Sequence, residues 1–228
     1  MKTTYMVCAT KPWNITAFER RLPSLKGSWQ LISHPKQLDE ENLRRINPRY
    51  IFFPHWSWKV PPGIFRQFEC VCFHMTDVPF GRGGSPLQNL ILRGLKQTKV
   101  SALRMTDEMD AGPVYMKEPL SLSGRAQEIF ERCAELALDM AEQMAEQCPE
   151  PVPQTGEVIT FSRRTPAMSR LPDSAEPELL HDFIRMLDAD TYPPAFIEQG
   201  NWRIEFSRSR VTDGKVVAEA RFIPRGTA

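Results

Sequence analysis

An α/β domain over residues 1–150, built on a mostly parallel twisted sheet, followed by a small α+β module over 151–228, is the architecture the sequence predicts. Three observations point to it. Short apolar runs such as 50–53 lack polar alternation, as strands covered by helices on both faces do. The strand-like runs are separated by segments with apolar residues at helical spacing, which implies right-handed crossovers. Pro149, Pro151 and Pro153 then stop the longest helix and make a stiff linker.

The first strand spans 4–9. Lys11 and Pro12 turn it into a helix carrying Trp13, Ile15, Phe18 and Leu22 on one stripe. Proline is accepted in a first helical turn, where free amides can hold an anion, so Lys11 and Asn14 are candidates for contacting a substrate phosphate. The plainer reading is a solvated turn with a cap. A strand at 29–33, a charge-rich helix at 38–46, a strand at 50–53 and a short helix at 63–68 follow. Between the last two lies the proline-bounded loop 54–61, where Trp56 and Trp58 offer a flat wall for a heterocycle or simply plug the loop onto the domain.

Residues 70–112 organise the chain: strand 70–74, a glycine-rich turn over 75–85, helix 86–94, strand 99–105 and an acidic loop 107–112. Ligands of open α/β sheets sit outside the carboxyl ends of the strands, so His74 and Asp110 should face one cavity. An imidazole beside a carboxylate suits proton transfer near neutral pH. Cys70, Cys72 and His74 fall on one face by alternation. Ser85 and Pro86 make a cap followed by a first helical position, and the glycines before them allow close backbone approach to a ligand.

A strand at 114–119 leads to a long amphipathic helix, 124–147, whose apolar stripe reads as core. The module holds a strand at 158–161, a helix at 178–187, and β-prone runs at 202–207 and 216–223 joined by an Asp213-Gly214 turn. Arg163 and Arg164 form either a diphosphate clamp or a solvated edge.

With 41% hydrophobic and 25% charged residues, the composition is that of a soluble globular protein. A net charge of +1 provides no general field for polyanions, which argues against a nucleic-acid partner and for a small anionic substrate. The five cysteines form no CxxC pair, so reduced thiols and no metal are expected. No signal-like leader and no apolar run of ~18 residues is present, so the expected location is cytoplasmic with no membrane partner. The oligomeric state stays open, a homodimer included.

The segment from Phe73 to Gly112 resembles the N10-formyltetrahydrofolate-dependent formyltransferases, on three motifs in order: His74 ending a strand, Gly81-Arg82-Gly83-Gly84-Ser85-Pro86 opening a helix, and Asp110-Ala111-Gly112 after the next strand. The wording at 73–77 and 110–113, and the segment with Arg185 and 192–196, are most similar to sugar-nucleotide N-formyltransferases of the pseudaminic-acid-pathway type. The resemblance implies a Rossmann-like formyltransferase domain using N10-formyltetrahydrofolate as co-substrate. It implies catalytic positions at His74, Asp110 and Cys72, donor contacts from Trp56, Trp58, Lys59, Val60, Arg82, Gly83, Gly84, Ser85, Asp107 and Met109, and acceptor contacts from Lys11, Asn14, Thr76, Arg163 and Arg164.

One position departs from the family. Its motif is Asn-x-His, with the asparagine amide binding the oxyanion; Cys72 stands there, and losing such a donor costs ~10² to 10³ in rate. A backbone amide, Thr76 or protonated His74 replaces it, or the enzyme is slow, or activity is lost. The implied function is formylation of an amine on a nucleotide-linked amino sugar. The alternatives are a methionyl-tRNA formyltransferase-like enzyme and a catalytically silent folate- or nucleotide-binding protein.

Overall fold

A computed structural model describes residues 2–225. The chain runs β1 (Thr4–Cys8), α1 (Pro12–Arg21), β2 (Ser28–Ile32), α2 (Glu40–Ile46), β3 (Tyr50–Pro54), α3 (Pro62–Phe65), β4 (Cys70–His74), β5 (Phe80–Gly83), α4 (Pro86–Leu92), β6 (Gln97–Arg104), β7 (Val114–Ser121), α5 (Ala126–Gln147), β8 (Ile159–Phe161), α6 (Pro177–Arg185), β9 (Ala195–Gln199), β10 (Trp202–Thr212) and β11 (Lys215–Pro224). It divides into two compact units, neither continuous in sequence: residues up to 83 with 98–120 and 130–160, and residues 84–97 with 121–129 and those from 161 on.

The first unit is built on the sheet ordered β2-β1-β3-β4-β6-β7. Its first four strands are parallel, and β6 pairs antiparallel with β4. Because successive side chains alternate, each strand feeds two cores. On one face aromatic rings follow one another: Tyr5 and Trp29 are 4.7 Å apart, Trp29 and Phe52 5.8 Å, Phe52 and Phe73 6.1 Å. On the other, Met6, Cys8, Ile51, Phe53 and Cys70 pack with Leu43, Val60 and Ile64. Each such side chain contributes roughly 1.5–3 kcal/mol by leaving water. α1 begins at Pro12 as expected, and its Trp13 stacks on Phe130 at 5.1 Å.

The second unit holds the antiparallel sheet β11-β10-β9. Asp213 and Gly214 join β10 to β11 with φ of 50° and 68°, the left-handed pair that a two-residue hairpin turn requires. Arg185 of α6 is buried, donating to the carbonyls of Leu122 and Gly124 at 2.7 and 2.8 Å and pairing with Asp182 at 2.6 Å.

Three features differ from the sequence reading. The run 75–85 is not all turn, since it contains β5; β9 forms where only a motif was noted; and β6, beside β4, runs antiparallel to it.

Candidate active site

His74, at the end of β4, is 8% exposed. Its Nε2 lies 2.8 Å from the Gly81 carbonyl oxygen. A carbonyl only accepts, so Nε2 carries the hydrogen and donates it. The Thr76 hydroxyl donates to the same oxygen at 3.3 Å, and the Thr76 carbonyl accepts from Ser101 Oγ at 2.6 Å. The other ring nitrogen, Nδ1, faces Asp110 Oδ1 at 3.5 Å. Asp110 Oδ2 accepts from the Gly83 N–H at 2.9 Å.

Asp110 does not reach His74 by the expected route. Because β6 is antiparallel, its end lies beside the start of β4, where the Met105 N–H bonds to the Cys70 carbonyl at 2.8 Å. The 106–112 loop therefore returns along the sheet before rejoining β7, closed by the Arg104 N–H to the Pro113 carbonyl at 3.0 Å. Two backbone features permit this return. Asp110 is left-handed at φ 54°, and a Cβ on Gly112 would stand 1.8 Å from the Arg104 carbonyl oxygen.

A residue outside the predicted set, Gln154, holds the loop. Its Nε2 donates to the carbonyls of Asp110 and Gly112 at 2.8 Å each, while its Oε1 accepts from Arg82 Nε and Nη2 at 3.1 and 2.8 Å. Arg82 also reaches Glu108 at 3.4 Å. No sequence signal marks Gln154, because its loop partners are main-chain carbonyls, which no residue type advertises.

Cys72 shares the His74 face and packs against the apolar cluster of Met6, Cys8 and Phe53. Burial, reinforced by the Asp110 carboxylate, pushes its thiol up to about 12, so it is a neutral thiol near pH 7.

In the loop after β3, Trp56 meets Phe53 at 5.8 Å and Trp58 at 5.4 Å. Trp56 Nε1 is buried without a hydrogen-bond partner, and Trp58 is 49% exposed. Lys59 is exposed, whereas Val60 belongs to the apolar core. Met109 is 73% exposed, and Asp107 pairs with Arg66 at 2.8 Å. Burial lowers the pKa of Lys11. Asn14 is buried and donates to the Pro54 carbonyl at 3.3 Å, so its side chain ties α1 to β3. His55 lies against Trp13 and Phe130, with ring centroids at 5.5 and 4.9 Å; burial first, then the Lys11 charge, bring its pKa down to about 3.

The remaining predicted residues belong to the second unit. Ser85 stands at the N-cap position of α4 with φ 50°, but its side chain makes no cap bond to the helix as the sequence suggested; its Oγ accepts from the Arg164 N–H at 3.0 Å instead. A Cβ on Gly84 would meet the Arg163 Cβ at 2.5 Å. Arg163 is exposed; the Arg164 guanidinium lies 5.4 Å from the Phe183 ring, bonds the Met168 carbonyl, and has its pKa lowered by burial. The structure thus gathers His74, Asp110, Cys72, Thr76, Arg82 and Gly83 around one point of the first unit. Among the described residues, no group of three His, Cys, Asp or Glu is arranged to hold a metal, and no helix is long and apolar enough to cross a membrane.

A largely parallel sheet with a histidine closing its central strand and an Asp-Ala-Gly turn folded back onto it defines the Rossmann-like formyltransferase class. A solved structure described as methionyl-tRNA formyltransferase from Clostridium thermocellum is 43% identical, with a TM-score of 0.94 and coverage of 97% of this chain and 99% of that one. The chain belongs to the formyltransferase family. A family model, Methionyl-tRNA formyltransferase, C-terminal domain, matches residues 166–223. The methionyl-tRNA formyltransferase of Rickettsia felis is 26% identical over 162 residues, covering 68% of this chain and 52% of the relative, so the chain spans about half the length of the curated relatives it matches. HypX from Aquifex aeolicus, solved in complex with tetrahydrofolic acid, shares the fold at 16% identity and a TM-score of 0.73, over 94% of this chain and 40% of that one.

These matches correct the sequence reading on two points. The sugar-nucleotide acceptor is overturned, since the 43% identical chain is described as a methionyl-tRNA formyltransferase. The exclusion of nucleic acid falls with it. The stretch read as a sugar-formyltransferase signature, with Arg185 and 192–196, lies inside the match to the methionyl-tRNA formyltransferase C-terminal domain. A net charge of +1 averages over the whole surface and does not exclude a local contact with a polyanion.

Proposed function

We propose that the chain transfers a formyl group from a reduced-folate donor to the amine of methionyl-tRNA. The observation that carries this reading is the gap between His74 Nδ1 and Asp110 Oδ1. With Nε2 holding its hydrogen for Gly81, both atoms facing across 3.5 Å offer lone pairs, and the distance exceeds that of a charge-assisted hydrogen bond, about 2.7–2.9 Å. The pair is built to accept one proton.

The donor supplies an electrophilic formyl carbon. The residues after β3 and in the 106–112 loop fit a flat, partly polar heterocycle: Trp56 offers a buried N–H in need of an acceptor, and Trp58 and Met109 offer exposed apolar surface. As the amine bonds to that carbon it must shed a proton. His74 Nδ1 takes it, Asp110 steadies the imidazolium, and the Gly81 carbonyl fixes the ring; when the adduct collapses, the bond from the formyl carbon to the donor nitrogen breaks and the imidazolium returns the proton to that leaving nitrogen, which restores the neutral ring. Thr76 is fully buried and its hydroxyl is committed to Gly81, so it is not a donor to the reacting oxygen. The imidazolium charge instead offsets the negative charge that develops there. Cys72 remains a neutral thiol and takes no nucleophilic part.

The test is incubation of the purified chain with N10-formyltetrahydrofolate and methionyl-tRNA. Formyl-methionyl-tRNA should form at a rate that falls as salt is added. A preparation that binds donor yet makes no product would leave a silent binding protein, the alternative that the Cys72 substitution raised.

A further inference from the structure

We propose that Gln154 is the positioning residue that keeps Asp110 against His74, a role that rests on the formyl-transfer reading. A glutamine amide has four hydrogen-bonding positions, and here all four are used: two hydrogens to the carbonyls of Asp110 and Gly112, and two lone pairs to the Arg82 fork. The two ends are not interchangeable. Carbonyls need the nitrogen end and a guanidinium needs the oxygen end, so the amide is locked in one orientation.

That lock matters because Asp110 is left-handed at φ 54°, a conformation that aspartate adopts more readily than most residues but that still competes with the ordinary right-handed and extended ones, so its surroundings must select it. Gln154 grips the chain at Asp110 and again two residues on, bracketing the turn, while the Gly83 N–H fixes the rotation of the carboxylate. Arg82 anchors the amide in turn and reaches the same loop at Glu108. Without the grip the turn relaxes, and a shift of about 1 Å in a reacting group can cost ~10²-fold in rate. Glutamate fills the same volume and keeps Arg82, yet it presents acceptor oxygens to two carbonyls. Gln154→Glu therefore separates loop positioning from packing.

The experiment combines steady-state kinetics with hydrogen exchange at the Gly83 amide, which reports the Asp110 carboxylate whether or not the protein turns over. Gln154→Glu and Gln154→Met should lower kcat ~10²-fold with KM for the donor little changed. Gly83 should exchange about tenfold faster in both. Arg82→Met should cost less, and the losses of Arg82→Met and Gln154→Met should combine to clearly less than their sum, because most of the hold of Arg82 on the loop runs through the amide and only the 3.4 Å contact with Glu108 bypasses it. Wild-type kcat in Gln154→Glu, a defect confined to KM, additive losses in the double variant, or unchanged Gly83 exchange each overturns the proposal. If the wild-type chain itself forms no product, the formyl-transfer reading fails, and Gly83 exchange alone decides whether Gln154 holds Asp110.

Discussion

His74 Nδ1 and Asp110 Oδ1 stand 3.5 Å apart although the strands that lead to them run in opposite directions. The contact exists because the 106–112 loop doubles back along the sheet and turns left-handed at Asp110. Asp110→Asn probes it with almost no change of shape. The asparagine oxygen can still accept from Gly83, while its amide donates to Nδ1 and occupies the lone pair that receives the proton. Turnover should fall ~10² to 10⁴-fold, and His74→Ala should fall at least as far. Thermal melts of Asp110→Asn should stay close to wild type. Retained activity in either variant removes the pair from the mechanism.

The cysteines differ in reactivity for reasons the structure supplies. Cys72 is held as a neutral thiol by burial and by Asp110, with its pKa at about 12, and Cys8 and Cys70 are buried thiols raised in the same direction. Only a thiolate attacks an alkylating reagent readily. Exposed Cys148 should therefore be labelled first by iodoacetamide at neutral pH, with half-buried Cys72 much slower and buried Cys8 and Cys70 modified only on unfolding. Labelling of Cys72 in the folded protein as fast as that of Cys148, read by peptide mass spectrometry, would contradict its assignment as a neutral thiol.

Gly112 is fixed by its neighbour's backbone rather than by flexibility. A methyl group there would overlap the Arg104 carbonyl oxygen at 1.8 Å, and neither β6 nor the loop closure at Pro113 can yield without breaking pairs. Gly112→Ala should lose roughly 1–3 kcal/mol or more and most of its activity, because the same displacement moves Asp110. A urea midpoint equal to wild type would show that the loop has room the geometry denies.

The strands and helices of the first unit were legible because apolar spacing reports burial directly: β1, β3 and β4 fall within a residue of the expected ranges. Strand direction was not, since an apolar run reads alike in either sense, and β6 is antiparallel. β5 was hidden by its composition, Phe-Gly-Arg-Gly, which looks like turn. At the candidate site, His74, Cys72 and Asp110 bear reactive groups on their side chains, so the sequence could single them out, and the structure brings them together. Gln154 and the Gly81 carbonyl act on or through the main chain, and the sequence does not display such partners.

His55 gives a pH dependence whose sign follows from its surroundings. Burial against Trp13 and Phe130, together with the Lys11 charge, lowers its folded pKa from 6.5 to about 3. The unfolded chain takes up a proton near pH 6.5 that the folded chain refuses until about pH 3. The stability this group provides is therefore fully present above pH 6.5 and is lost progressively as the pH falls toward 3. His55→Asn tests this with a residue that accepts the left-handed backbone at position 55, where φ is 51°. Urea midpoints of the two proteins should run parallel above neutral pH, since neither residue is charged there. Between pH 6.5 and about 4 the wild type should fall more steeply, by up to one proton of linkage. Equal slopes across that window would mean that the imidazole titrates normally and is not sealed between the two rings.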